Sequence, residues 1–333
     1  MLLWIAFLLP ATFAPLPPSD FVDNVQALRG ETDLDVSIRQ LTPVFAGEVT
    51  GVDCRKPLSP DEVAAIHAGM NEYAVLVFRD QKLTDAEQLQ FTLHFGVLEN
   101  SRGGTPGHIH FRTDEEARKL GSGIVDFSNV EPSGKTLSRD SRAYMFKLAD
   151  QMWHSDSSFK AVPASYSLLS GRSVVSWGGN TEFADMRAAY DALDDRLKQV
   201  VDGLVCLHSN MYSRGKLGVM DFTDEERAAF KPVRQRLVRR HPVTGRTSLF
   251  LSAHAGAIEG MSIPEARMLL FDLTEFATQE RFVYSHTWRV NDFVMWDNRA
   301  TMHRGRPFDP SEARDIRQTR LAGDGPTIAQ DAA

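Results

Sequence analysis

The chain carries only two cysteines, Cys54 and Cys206, far apart in its 333 residues. They match no disulfide framework and no zinc-binding spacing, and they suit a reducing compartment. No stretch opens a β-α-β unit with a glycine-rich dinucleotide fingerprint, which removes the usual nicotinamide enzymes. No His-Glu-x-x-His helix is present, which leaves a zinc hydrolase without its usual scaffold. There is no internal repeat and no low-complexity segment. Excess positive charge is also missing: the net charge is −7, so neither nucleic acid nor an anionic membrane is an expected partner. The run Arg234, Arg236, Arg239, Arg240 is short and reads as a solvated face.

What is there is ordinary in amount, with 42% hydrophobic and 24% charged residues, and informative in arrangement. Met1 to Leu16 is apolar and uncharged apart from its amino group. It is too short for a comfortable span of a bilayer. It resembles the core of a signal peptide, with Ala14 at a cleavage-like position but no Lys or Arg before it. A secretory signal, a weak anchor and an upstream start codon compete; the last two are preferred, and a cytoplasmic location is expected. Residues 1–34 are therefore set apart, 35–325 are taken as the folded domain, and 326–333 as a tail.

Within the domain, helix starts are written clearly. Ser59, Thr84, Thr223 and Ser262 are each followed three residues later by Glu, the capping-box signature. Tyr73 to Phe78 reads as a buried strand, as do Ile124 to Val130, Ala164 to Ser170, Phe293 to Trp296 and Ile316 to Ala322. Met186 to Leu204 carries apolar residues at spacings of three and four and reads as one amphipathic helix. Residues 97–123 form a long irregular stretch that suits a lid or substrate loop. His108 and His110 within it form a possible metal pair with no third ligand at a usable spacing. Many short strands with helices between them predict a mainly β fold with decorating helices, a double-stranded β-helix of the jelly-roll or cupin type.

The chemistry centres on His154-Ser155-Asp156. If Met152 to Phe159 is a strand, His154 and Asp156 share a face. They would supply two thirds of the two-histidine, one-carboxylate set that binds Fe(II) and leaves positions open. His303 emerges just beyond the buried strand ending at Trp296 and is the candidate third ligand. Arg314 follows 11 residues later, at the start of a strand. A guanidinium there is costly to bury unless it meets an anion, and it binds a carboxylate by two parallel hydrogen bonds. Thr181 could add a hydroxyl to the same carboxylate. Trp153 packs either against the site or in plain core.

The order His154-x-Asp156, Gly178-Gly-Asn-Thr181, Trp296-Asp-Asn-Arg, His303, Arg314 resembles the taurine / 2,4-dichlorophenoxyacetate dioxygenase family. The likeness runs from about Gln40 to Gly323. Phe183 to Leu193, His241 to Arg246 and Arg320 to Gly323 look especially like the aryloxyalkanoate dioxygenases within it. The resemblance implies Fe(II) held by His154, Asp156 and His303, with 2-oxoglutarate as cosubstrate anchored by Arg314 and Thr181. It implies O₂ as oxidant, decarboxylation to succinate and CO₂, and hydroxylation of a small organic acid, with ether cleavage where the attacked carbon bears an ether oxygen. A homo-oligomer is expected. The family's substrate-anchoring arginine falls here on Gln318. Gln318, Arg320 and Asn129 are the candidates for meeting the substrate, and strand alternation puts Arg317 on the opposite face from Arg314, Gln318 and Arg320. The alternatives are a taurine or alkylsulfonate dioxygenase, and a non-catalytic relative that binds a small acid.

Overall fold

Alternation along a few buried strands sets the architecture. Val75 and Val77, Val294 and Trp296, Leu169 and Ile316 point to one side of a sheet and pack with Phe183 of a second sheet and with Trp288. Leu76, Phe78, Leu168, Phe293 and Met295 point to the other side, onto Ile66, Met70 and Phe91 of two helices. A period of two in the side chains thus makes both faces of the first sheet apolar. The computed structural model describes residues 35–99, 123–130 and 135–330.

The first sheet has seven strands, with Phe293–Asp297 hydrogen-bonded between Val75–Phe78 and Tyr166–Ser173. Asp315–Arg320 pairs antiparallel with the far side of Tyr166–Ser173. The second sheet places Thr181–Asp185 between Val283–His286 and Thr301–Gly305. The helix Ile263–Ala277 covers that sheet's outer face through Ala266, Leu270 and Leu273, against Ala184 and Met302. This is the jelly-roll expected, with helices on both outer faces. Sheet-on-sheet packing leaves one end of the sandwich for a site between strands that belong to different sheets.

All four capping boxes are present, at Ser59, Thr84, Thr223 and Ser262. Other boundaries differ from expectation for local reasons. Tyr73 ends the helix Pro60–Tyr73, and Ala74 at φ 56° turns the chain into the strand. The continuous apolar run conceals that junction. Met186 to Leu204 is two helices, Met186–Asp191 and Asp195–Val201. Asp194 breaks it by accepting the backbone N–H of Leu197 at 2.7 Å, a competition with helix continuation that short acidic side chains win. The apolar spacing survives because Ala189, Leu193 and Val201 bury into one cluster. Ile124 to Val130 shrinks to the strand Val125–Asp126. The boundary at 325 falls inside the packed body: buried Thr327 donates to Gln235 at 2.6 Å and accepts from the Arg236 backbone. Residues 1–34 and 100–122, with His108 and His110, lie outside the described residues. No described helix is long and apolar enough to cross a membrane.

One core group gives a pH prediction. His208 is fully buried, stacks on Phe250, and neither ring nitrogen has a hydrogen-bond partner among the described residues. Burial, with Lys216 and Arg239 adding to it, pushes its pKa down to about 3. The unfolded chain takes up this proton near pH 6.5, roughly the free histidine value. Stability from neutral His208 is therefore full above that pH and is lost as pH falls towards 3. His208→Leu is expected to flatten the acid limb of a Tm-versus-pH curve. Parallel curves for variant and parent would remove His208 as a cause.

Candidate active site

Met152 to Phe159 is not the strand expected. His154 makes a single antiparallel bridge to His303, with reciprocal backbone hydrogen bonds of 2.9 and 2.8 Å. The chain then turns at Asp156 to Phe159, with Ser157 at φ 56°. Serines that hydrogen-bond locally favour the turn. Asp156 reaches the site from this turn, and strand alternation does not place it there.

The bridge brings the two histidines together, with ring centroids 4.2 Å apart and the ring planes tilted by 47°. Nδ1 of His154 lies 2.8 Å from the Met152 carbonyl. A carbonyl only accepts, so Nδ1 carries the hydrogen and Nε2 keeps its lone pair. His303 is held by packing against Trp296, at 4.8 Å, and Phe183, at 6.1 Å. Burial, and then the His154 charge, push its pKa down to about 3. It is neutral at physiological pH, as a ligand must be. His303 Nε2 stands 3.9 Å from Asp156 Oδ1.

Asp156 is the most tethered member. Ser167 Oγ and Gln318 Nε2 donate to Oδ2 at 2.7 and 2.9 Å. Asn298 accepts its backbone N–H at 3.1 Å. Burial raises its pKa, but the neighbouring His303, Arg320 and His154 and the Ser167 hydrogen bond outweigh this and lower it. One ligand atom from each of His154, Asp156 and His303 lies within 4.8 Å of the others, with Asp156 and His303 buried and His154 half-buried. Two imidazoles and a carboxylate converging without bulk between them fit a divalent iron with open positions.

Arg314 and Thr181 line the same cavity. Gly178 makes the turn that leads to Thr181: it sits at φ 72°, and a Cβ there would lie 2.3 Å from the Pro307 carbonyl. Thr181 Oγ1 accepts from Trp288 Nε1 at 2.9 Å, which leaves its own hydrogen to donate. The Arg314 guanidinium lies over Phe308 and, among the described residues, donates only to the Gly179 carbonyl, at 3.3 Å. Among the described residues it has no carboxylate in ion-pair range, and burial pushes its pKa down to about 10. A cation held this way fits the distal carboxylate of a dicarboxylate cosubstrate.

The three substrate candidates, Asn129, Gln318 and Arg320, line the cavity and also make contacts within the protein. Asn129 Nδ2 donates to the carbonyls of Pro310 and Glu312, and Oδ1 accepts from the Arg314 backbone. Its carboxamide shapes the loop that delivers Arg314. Gln318 holds Asp156, as described. Arg320 lines the cavity but pairs with Glu99 at 3.2 Å and approaches Asp156 at 3.8 Å. Arg317 faces away, onto Asp126 and Asp315, as alternation predicts. Because Gln318 fixes the carboxylate, Gln318→Leu is expected to weaken Fe(II) affinity about 10- to 100-fold, as outer-shell losses do. Titration of the apoprotein with Fe(II) under anaerobic conditions checks this; an unchanged affinity refutes the tether.

Sequence reading missed Ser167, Asn298 and the Met152 carbonyl. Only Ser167 carried a signal, as an inward position in the Tyr166–Ser173 strand. It also missed Tyr144, Asp150, Phe159 and Arg214, which line the same cavity.

A model of the family described as Taurine catabolism dioxygenase TauD, TfdA family matches residues 37–320. The chain is 43% identical over 291 residues to the alpha-ketoglutarate-dependent 2,4-dichlorophenoxyacetate dioxygenase of Cupriavidus pinatubonensis, covering 87% of this chain and 99% of that enzyme. It is 37% identical over 297 residues to the (S)-phenoxypropionate/alpha-ketoglutarate-dioxygenase of Sphingobium herbicidovorans, covering 86% and 95%. Among solved structures, AAD-2 in complex with Mn(II) and N-oxalylglycine superposes with a TM-score of 0.83 at 55% identity, covering 88% of this chain and 99% of that one.

Proposed function

The chain belongs to the TauD/TfdA family of Fe(II)- and 2-oxoglutarate-dependent dioxygenases, and from that premise we propose that it hydroxylates an aryloxyalkanoate at the carbon beside its ether oxygen. What supports this reading is the convergence of His154, Asp156 and His303 next to Arg314 and Thr181, in a cavity with Phe127, Tyr144, Phe159, Leu169 and Ile316 in its walls. An aryl ring needs such apolar walls.

In this reading His154, Asp156 and His303 hold the iron. With O₂ and 2-oxoglutarate the bound iron supplies hydroxylation of a C–H bond, coupled to decarboxylation of the cosubstrate to succinate and CO₂. The protein contributes the geometry. The Met152 carbonyl fixes the tautomer of His154, and Ser167 and Gln318 aim Asp156. Arg314 and Thr181 bind the distal carboxylate and so fix the direction from which the cosubstrate enters. Hydroxylation of ArO–CH₂–COO⁻ gives ArO–CH(OH)–COO⁻, a hemiacetal that separates into ArOH and the 2-oxo acid OHC–COO⁻. An intracellular location follows from the supply of Fe(II) and 2-oxoglutarate.

The test is a panel of 2,4-dichlorophenoxyacetate, both enantiomers of a phenoxypropionate, and taurine, with succinate and phenol measured together. Stoichiometric phenol and succinate from an aryloxyalkanoate is the expected result. Succinate formation coupled to taurine alone would overturn the substrate class.

A further inference from the structure

Gln318 leaves the cavity without the family's usual substrate anchor, and the ion pairs of the cations that line it show where another stands. On the strand side, Arg320 and Lys160 face Glu99 and Asp156: Glu99 pairs with Lys160 at 3.1 Å and Arg320 at 3.2 Å, and Arg320 approaches Asp156 at 3.8 Å. Glu99 thus already holds both of these cations. Arg306 is paired with Glu182 at 3.6 Å. Arg314 is taken by the cosubstrate in this reading. Arg214 lines the same cavity, with Asp150 and Tyr144.

Arg214 is built for use. It projects from the helix Asn210–Lys216 and is 4% exposed, yet its side chain reaches the cavity. Nη1 is held by Asn210 Oδ1 at 3.1 Å and Ser213 Oγ at 2.9 Å, and the guanidinium lies over the Phe146 ring at 5.8 Å. Among the described residues no carboxylate comes within ion-pair distance of it. The anchored Nη1 leaves Nε and Nη2, one edge of the fork, to meet a carboxylate in bidentate fashion. Arg214 lines the same cavity as His154, Asp156 and His303. An aryloxyalkanoate is attacked at the carbon that joins its carboxylate to its ether oxygen. Its anchor must therefore stand close to the metal, with the aryl ring pointing away along Tyr144 and Phe159.

We propose that Arg214 is the specificity-determining residue that binds the substrate carboxylate, in place of the arginine that Gln318 replaces. The proposal rests on the aryloxyalkanoate reading for its substrate, but its claim is about a carboxylate. An acid and its neutral isostere separate the two. The probes are 2,4-dichlorophenoxyacetate and its primary amide, with enzyme loaded with Mn(II) and N-oxalylglycine for calorimetric binding and with Fe(II) and 2-oxoglutarate for kinetics.

Arg214→Gln is expected to weaken binding of the acid at least about 30-fold, as truncating a desolvated charge pair does, and to change binding of the amide by less than about threefold. Arg214→Lys keeps the charge without the fork and is expected to fall between. The KM for 2-oxoglutarate and the metal content should stay within about twofold of the parent, which also shows that the variants fold. The proposal is overturned if the acid-to-amide ratio survives in Arg214→Gln, or if Arg320→Gln erases that ratio while Arg214→Gln does not. Wild-type protein that binds the acid without turning it over refutes the proposed reaction and leaves the anchor to the binding ratio. Wild-type protein that binds neither the acid nor related aryl carboxylates refutes both.

Discussion

His303→Ala is expected to abolish coupled turnover and to weaken Fe(II) binding by more than about a hundredfold. Four-ligand structural zinc sites gather roughly 10–16 kcal/mol, or about 3 kcal/mol per ligand, which corresponds to a factor above 100. The loss should be specific, because His303 does little else. It sits in the middle of a ladder of five residue pairs between Thr301–Gly305 and Thr181–Asp185, whose backbone pairing does not need the ring. Its Nδ1 makes no hydrogen bond to any described residue, so truncation strands no partner. Its backbone bonds to His154 do not depend on the side chain. The removed ring leaves a space against Trp296 and Phe183, and the cost of that cavity should appear as a lower Tm of the apoprotein. The measurement is anaerobic metal stoichiometry by Mn(II) electron paramagnetic resonance, beside Tm. A variant that holds a full equivalent of metal with wild-type affinity would remove His303 from the ligand set. Asp156→Ala should be harsher for the fold, because it strands the hydroxyl of Ser167 and the carboxamide of Gln318 in the interior.

The difference between His303 and Asp156 also shows what a sequence can and cannot say here. Residue types at the proposed metal site were legible because ligand chemistry restricts them: a histidine, a carboxylate and a second histidine in that order, then an arginine. The means of presentation was not. Alternation on a strand was the simplest way to put His154 and Asp156 side by side, but a bridge to His303 followed by a serine turn does it instead. That bridge joins residues 149 positions apart, which no local pattern encodes. Capping boxes were legible because they are complete within four residues. The break at Asp194 was missed because two helices that bury the same face keep one helix's apolar spacing. Gln318 was readable as an absence. Its positive role needed the distance to Asp156, and Arg214 needed the cavity it lines.

Arg314→Gln is expected to raise the KM for 2-oxoglutarate by about 30-fold or more, while kcat at saturating cosubstrate changes far less. Truncating one partner of a desolvated charge pair costs roughly 2–5 kcal/mol. The distal carboxylate lies away from the reacting atoms, so the interaction is equal in ground and transition states and its loss appears in KM. Arg314→Lys keeps the charge but not the bidentate fork, and should recover part of the loss. A 2-oxo acid without the distal carboxylate, such as 2-oxopentanoate, supplies the control: wild-type enzyme should strongly prefer 2-oxoglutarate, and Arg314→Gln should lose most of that preference. An intact preference would dismiss Arg314 as the anchor. Stability should move the other way. In the free protein Arg314 is desolvated enough that its pKa falls to about 10, with only Asp150 opposing the shift from a distance. Methionine at 314 relieves that cost and keeps the contact with Phe308, so Arg314→Met should raise the Tm of the apoprotein while losing 2-oxoglutarate affinity. A protein that holds an unpaired cation until its cosubstrate arrives trades stability for binding, and opposite shifts in Tm and KM from one substitution are the signature of that exchange.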